Sequence, residues 1–445
     1  MIRPLLLLTG ALALPAADSD PLAQWCRGRV LFQHEFSPSE GAGEPTHLLR
    51  RADGRPAVDM GRAASCALCH NTPLDDAGAG PSIRRAGVGR NTPHLFGAGA
   101  REQLAQAITA SLIAQADRNG DGLIGPVDAP YPHPVVNGVR FGEWVGKDGQ
   151  PALDPAIILL PMASDGCVLA SASDTRFVGW RVAVPAFGWG ERPGHPAIDG
   201  TSLRAFIDGA AVQHAGLQAD DPALRDARSP FGAAQLPHTP IDPGHRRDAD
   251  GRSLDDPDGD GVYAELDRAA CDALERYHLD HPEPPPPVFD VQADQGRAHF
   301  TAIGCASCHA PDWDFPDIPD RRALAWTWDA TGAHPAPRPS GHLSVRGIYT
   351  DFRSHDLGPA LHIRQDDGTV ITRVRTPPLW GVASTGPWLH DGRALDLDSA
   401  IRAHGGYASA SATAYANGSA ADRAALLAFL GALKLQAVGP VSPAP

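Results

Sequence analysis

Apolar residues recur at helical spacing in several separated segments of the chain. Long stretches rich in Gly, Pro and Asp lie between them. The spacing predicts helices over Arg101–Gln115, Ser202–Gly216, Tyr263–Tyr277 and Ser419–Leu433, with a shorter one over Asp294–Gly304. The Ser419 segment carries its own start signals, with Ser419 as cap and Asp422 in the first turn. Leu426, Leu427, Leu430 and Leu433 form its apolar face. Between Val135 and Val184, short apolar runs broken by Gly and Pro predict a few short strands or irregular loops. With 47 Gly and 43 Pro, the expectation is a mainly α protein whose helices are joined by long ordered loops.

The first 17 residues hold one Arg, a short apolar run and small residues, the pattern of a signal peptide cleaved near Ala17. No later run is apolar and long enough to span a bilayer, so no integral membrane segment is expected after cleavage. The Pro-rich run from His281 reads as a stiff linker over 281–292. It divides the chain into an N-terminal unit, 18–280, and a C-terminal unit, 293–445. Gly28-Arg-Val-Leu-Phe32 and Gly296-Arg-Ala-His-Phe300 open the two units alike, which suggests a distant internal duplication. A formal net charge of −14 excludes nucleic acid as a natural partner. Lys147 and Lys434 are the only lysines, so no lysine-rich docking ring is available.

Each unit contains one Cys-x-x-Cys-His pentad, Cys66–His70 in the first and Cys305–His309 in the second. The two thiols can form thioethers to porphyrin vinyl groups, and the adjoining His then places an imidazole on the iron. Two covalently bound c-type haems are expected, in two cytochrome c-like domains with long loops and a few short strands. His70 and His309 would be the proximal ligands. Covalent haem attachment and the leader together predict a periplasmic protein. Cys26, Cys167 and Cys271 remain, and two of them can pair in an oxidising compartment.

The stretch from Thr376 through Trp380 to Trp388-Leu-His390-Asp-Gly-Arg resembles the C-terminal haem signature of bacterial di-haem cytochrome c peroxidases. Arg90-Asn-Thr-Pro-His-Leu-Phe-Gly, Phe187-Gly-Trp189, Ser202-Leu-Arg-Ala-Phe and Ala400-Ile-Arg-Ala-His404 narrow the likeness. The branch they point to is that of the di-haem oxidoreductases, or di-haem peroxidases. The resemblance implies that His404 is the second axial ligand of the second haem, since it lies fourteen residues after His390, where the peroxidases hold Met. The mature chain has only Met60 and Met162, and a His/His iron has a lower potential than a His/Met one. In the first unit, the window before Asn91 that holds a displaceable His in the peroxidases contains none. The first haem would then be five-coordinate or water-ligated.

By the same resemblance Glu102 is a candidate distal acid–base, and His214 a further pocket residue. Asn91, Thr385 and Pro387 match positions that hold Ca²⁺ between the haems, an all-oxygen set suited to that ion. Two acidic loops fit a calcium pattern on their own spacing. One runs from Asp117 to Asp128; the other joins Asp256, Asp258 and Asp260 to Asp267. Trp189, Trp380 and Trp388 are candidates for an aromatic bridge between the haems. The expected activity is that of a haem-dependent oxidoreductase of the peroxidase kind. Peroxide or dioxygen would be activated at the first haem, and electrons exchanged through the second with a small redox protein or small-molecule donor or acceptor. The alternatives are a di-haem electron-transfer cytochrome without catalysis and an oxidase that modifies a protein side chain or polymer.

Overall fold

Each unit is organised by a pair of helices that cross at a glycine. In the first unit, α1 (Pro21–Gln33) starts at Asp20, whose carboxylate accepts from the Leu22 amide at 3.1 Å, with Pro21 in the first turn. It packs on α4 (Arg268–Leu279), capped by Asp267 through the Ala270 amide at 2.7 Å. In the second unit, α5 (Val291–Ala302) packs in the same way on α8 (Ala420–Ala432). A Cβ on Gly28 would collide with the Ala273 carbonyl, and one on Gly296 with the Ala425 carbonyl. Only glycine lets the two backbones approach this closely. The aromatic four residues on, Phe32 or Phe300, is buried beside each crossing.

The structure is a computed structural model that describes residues 20–37, 40, 64–73, 76–80, 83–85, 88–146, 151–155, 157–164, 169, 171–188, 202–211, 215, 217, 219, 265–364 and 370–442. The leader, Cys167, Trp189, His214, Asp256, Asp258 and Asp260 lie outside the described residues. Eight α-helices are described, the remaining four being α2 (Ala98–Ala116), α3 (Leu203–Ala210), α6 (Leu397–Arg402) and α7 (Ser409–Asn417). None of the described helices is long and apolar enough to cross a membrane.

Strand pairs are more numerous than the few expected, and every described sheet is two-stranded and antiparallel. The longer ones are β1 (Ile158–Ala163) with β2 (Phe177–Ala183), β3 (Trp313–Pro319) with β6 (His342–Val345), and the hairpin of β4 (Leu324–Asp329) with β5 (Gly332–Pro337). Several of the described Gly- and Pro-rich stretches are thus hairpins, whose turns those residues favour. In α8 the buried face is Ala425, Leu426, Phe429 and Leu430, while Leu427 is only half-buried. Phe429, one turn after Ala425, takes the place the Leu-only pattern gave to Leu427.

The units share a core. Trp25, Phe96 and Tyr277 of the first cluster with Trp313, Leu324, Leu435 and Val438 of the second. Phe300, Tyr349, Tyr415, Leu426, Phe429, Leu430 and Leu433 form a smaller core around the second crossing. The Pro-rich run is extended, but its beginning is built into the seam. His281 is 2 % exposed, the Pro282 carbonyl accepts from Gly97, and Glu283 pairs with Arg322. Cys26 lies on the Val441 carbonyl and Cys271 on that of Leu266, so these two cysteines do not pair with each other.

Alanine at Gly28 or at Gly296 should cost about 1–3 kcal/mol, because the helix pair must move apart. Denaturant unfolding measures it, and a change within about 0.5 kcal/mol would remove the close crossing as the organising contact.

Candidate haem-binding sites

The two pentads are folded alike. Cys66–Leu68 and Cys305–Ser307 each form a single 3₁₀ turn that ends at the second cysteine. The first turn is capped by Ser65, whose hydroxyl accepts from Leu68, and the second starts at left-handed Gly304. The His that follows is oriented by a carbonyl in both units. His70 Nδ1 donates to Pro93 O at 2.9 Å, with Gly78 O at 3.2 Å, and His309 Nδ1 donates to Tyr349 O at 3.0 Å. An imidazole that donates from Nδ1 keeps its Nε2 lone pair as the ligand atom. Phe32 and Phe300 stand 6.2 Å from the respective imidazoles, so each helix crossing backs its own imidazole.

His404 follows α6 and donates from Nδ1 to Ala400 O at 2.8 Å, in the same tautomer. It is within electrostatic reach of His309. Burial pushes His309 down to about 4, and a charge on His404 would push it further the same way. Both rings are half-buried by surface area, yet protein packed around them makes desolvation the leading cause of each one's lowered pKa. Neutral imidazoles are the form that binds iron. The second unit thus brings two neutral histidines, 95 residues apart in sequence, within electrostatic reach of each other. Burial also raises the Cys66 and Cys305 thiols to about 11; these sulfurs stand where thioether sulfurs would be. The paired cysteines and the oriented histidines fit a porphyrin in each unit.

The first unit is different. His94, coupled electrostatically to His70, gives its Nε2 to Trp380 O at 2.9 Å and is held near 3, chiefly by burial. Glu102 is buried and accepts from the Leu203 amide at 2.7 Å, which fastens the start of α3 to α2. Burial raises its pKa.

The structure brings Asn91 and Pro387 into contact, the side-chain amide meeting the carbonyl, while the Asn91 amide N–H donates to His390 O at 2.7 Å. Asn91 Oδ1 is buried with no hydrogen-bond partner among the described residues. A buried oxygen beside a carbonyl, with no donor to satisfy it, is suited to a cation. Of the other acidic positions, Asp267 is the cap of α4. The Asp117 loop accepts its own backbone amides, from Gly120 and Gly122 on Asp117 and from Arg118 and Gly125 on Asp128. Trp380 is buried at the seam against Gly97, and Trp388 is half-buried with its indole N–H on Val382 O at 2.8 Å.

Sequence reasoning missed one feature. Fully buried Asp351 lies 2.7 Å from His355 Nε2, and both sit beside Cys308. Burial alone would lower His355, but the hydrogen bonds and charges of Asp351 and Cys308 outweigh it and raise it to about 9. The local sequence gave no sign, because the pair becomes significant only when the turn places it against the pentad.

These arrangements place in each unit a turn with two cysteines, followed by an imidazole oriented through Nδ1. Residues 287–433 match the model of the family described as "Di-haem oxidoreductase, putative peroxidase". No curated protein matches the chain. Among solved structures, the chain is similar to hydrazine synthase of Kuenenia stuttgartiensis, pressurised with xenon. The identity is 14 %, the TM-score 0.35, and the match covers 97 % of this chain and 99 % of that one. A MauG-like protein associated with microbial copper homeostasis is 18 % identical, with a TM-score of 0.20 over 38 % of this chain and 57 % of that one.

The Asp351–His355 pair makes stability depend on pH. With Cys308 as a free thiol, the folded pKa of His355, about 9, lies above the unfolded value, so in the haem-free chain the stabilisation is fully present below about 6.5 and fades as pH rises through 9. Asp351→Asn should flatten the unfolding midpoint profile over that window. An unchanged profile would show that the pair carries no such linkage.

Proposed function

We propose that this protein is a periplasmic di-haem c-type oxidoreductase of the peroxidase kind. Cys66 and Cys69 would attach the first haem with His70 as its ligand. Cys305 and Cys308 would attach the second, held between His309 and His404. The observation that carries this reading is the difference between two otherwise matched sites. His404, coupled electrostatically to His309, donates from Nδ1 and so offers its outer Nε2, whereas His94, coupled to His70, is anchored through Nε2 to the Trp380 carbonyl and keeps only Nδ1, the nitrogen nearer its own backbone.

A haem iron with an open sixth position binds and activates peroxide or dioxygen, while one with two imidazoles passes electrons. Pro93 and Tyr349 hold the proximal rings in place from their carbonyls. Glu102, whose pKa burial raises, is the candidate to hold or give a proton on the side of the first haem. Asn91, Thr385 and Pro387 would bind Ca²⁺ across the units and fix their spacing. The electron partner is a small redox protein or a small molecule.

His404→Ala should abolish the low-spin signal of the second haem and leave the other haem's peroxide response intact at first turnover. An unchanged low-spin signal in this variant, read by EPR, would overturn the ligand assignment. Two haems that both ignore peroxide and carbon monoxide would overturn the catalytic reading in favour of electron transfer. Chelation of Ca²⁺, or Asn91→Ala, should lower the thermal midpoint of the holoprotein and slow electron exchange between the haems. No response to either treatment removes the ion from the account.

A further inference from the structure

Placing Gly296 on Gly28 and Ala425 on Ala273 aligns the two helix crossings residue by residue. Phe32 then corresponds to Phe300, an identity. The other buried positions differ in chemistry. Trp25 corresponds to Ala293, Tyr277 to Phe429, His278 to Leu430 and His281 to Leu433, all of them buried. The second unit shows that hydrocarbon side chains suffice to pack this crossing. The first unit carries oxidisable rings and imidazoles at the same places, at the desolvation cost such groups incur.

These groups form a connected series. From the His70 imidazole the ring-to-ring steps are 6.2 Å to Phe32, 5.2 Å to Tyr277, 5.2 Å to Trp25 and 5.0 Å to Trp326 on β4. Trp326 is half-buried, with its indole N–H on Asp280 O at 2.6 Å. His281 stacks on Trp25 at 6.1 Å with planes 14° apart. Neither of its ring nitrogens, nor Trp25 Nε1, has a hydrogen-bond partner among the described residues. The guanidinium of Arg29, 5.6 Å from the Trp25 ring, is balanced by Asp76 at 2.6 Å.

We propose that Trp25 and Trp326, reached through Phe32 and Tyr277, form a one-electron relay between the first haem and the surface at β4. The inference rests on the reading of that haem as the peroxide-reactive one. Reduction of one peroxide to two waters takes two electrons and two protons. The relay delivers these electrons singly. Trp25 gives up an electron toward the haem and keeps its indole proton, since no partner is there to take it. Trp326 refills Trp25, and a one-electron donor in solution refills Trp326 and is itself oxidised. The face of neutral His281 on Trp25 favours the indole cation that exists between the two transfers.

The test uses the haem-loaded full chain treated with hydrogen peroxide without an added donor. The haem absorption, freeze-quenched EPR and peptide mass spectrometry are followed together. A tryptophan radical and oxygen-addition products on Trp326 are expected in the native protein, and both should be lost in Trp25→Phe. His281→Leu, which installs the residue found at Leu433 of the second unit, should fold and load haem normally yet shorten the life of the radical. A haem that responds to peroxide while no tryptophan radical or Trp326 oxidation forms overturns the relay and leaves the peroxide reading standing. A haem that does not respond at all overturns both. Persistence of the radical in a haem-loaded Trp25→Phe, Trp326→Phe double variant also overturns the relay.

Discussion

The close approach of two helix backbones at a glycine is the contact on which the rest depends. At Gly28 and at Gly296 the facing carbonyl occupies the space a Cβ would need. That proximity buries the aromatic one turn on and brings it to 6.2 Å from the histidine of the pentad. The histidine is then held from its far side by a loop carbonyl, Pro93 or Tyr349. The orientation of each imidazole is thereby set by packing and by hydrogen bonding to loop carbonyls. A fully buried aromatic ring contributes about 1.5–3 kcal/mol, so each crossing supplies stability as well as aim.

On this repeated frame, the two units differ in what is added. The second gains a histidine from the end of α6 and a buried Asp351–His355 pair beside its cysteines. The first has Trp, Tyr and His where the second has Ala, Phe and Leu. The seam between them is dense with specific contacts, such as His94 on the Trp380 carbonyl, Asn91 on Pro387 and Val438 on Asp76. These hold the units at fixed spacing.

Much of this was legible in the sequence. The pentads, the cap at Ser419 and the repeated Gly-Arg-x-x-Phe element follow from spacing and side-chain chemistry, which act locally, while His404 was singled out by a resemblance. Asn91 and Pro387, 296 residues apart, met through a resemblance rather than through any property of either residue. What was not legible depends on tertiary placement. His281 reads as the head of a proline linker, but its ring is sealed between Trp25 and Phe96. Asp351 and His355 look like ordinary loop residues until the turn brings them to Cys308. Leu427 fits the apolar stripe of α8, yet Phe429 takes the buried place because the facing helix lies on that side.

The central claim is that one scaffold, used twice, holds two irons of unlike coordination. EPR of the resting, fully oxidised holoprotein tests it most directly. The account predicts one low-spin signal with the g-anisotropy of two imidazole ligands and one high-spin signal from the haem at His70. Two low-spin signals of equal intensity, unchanged by peroxide, would contradict it.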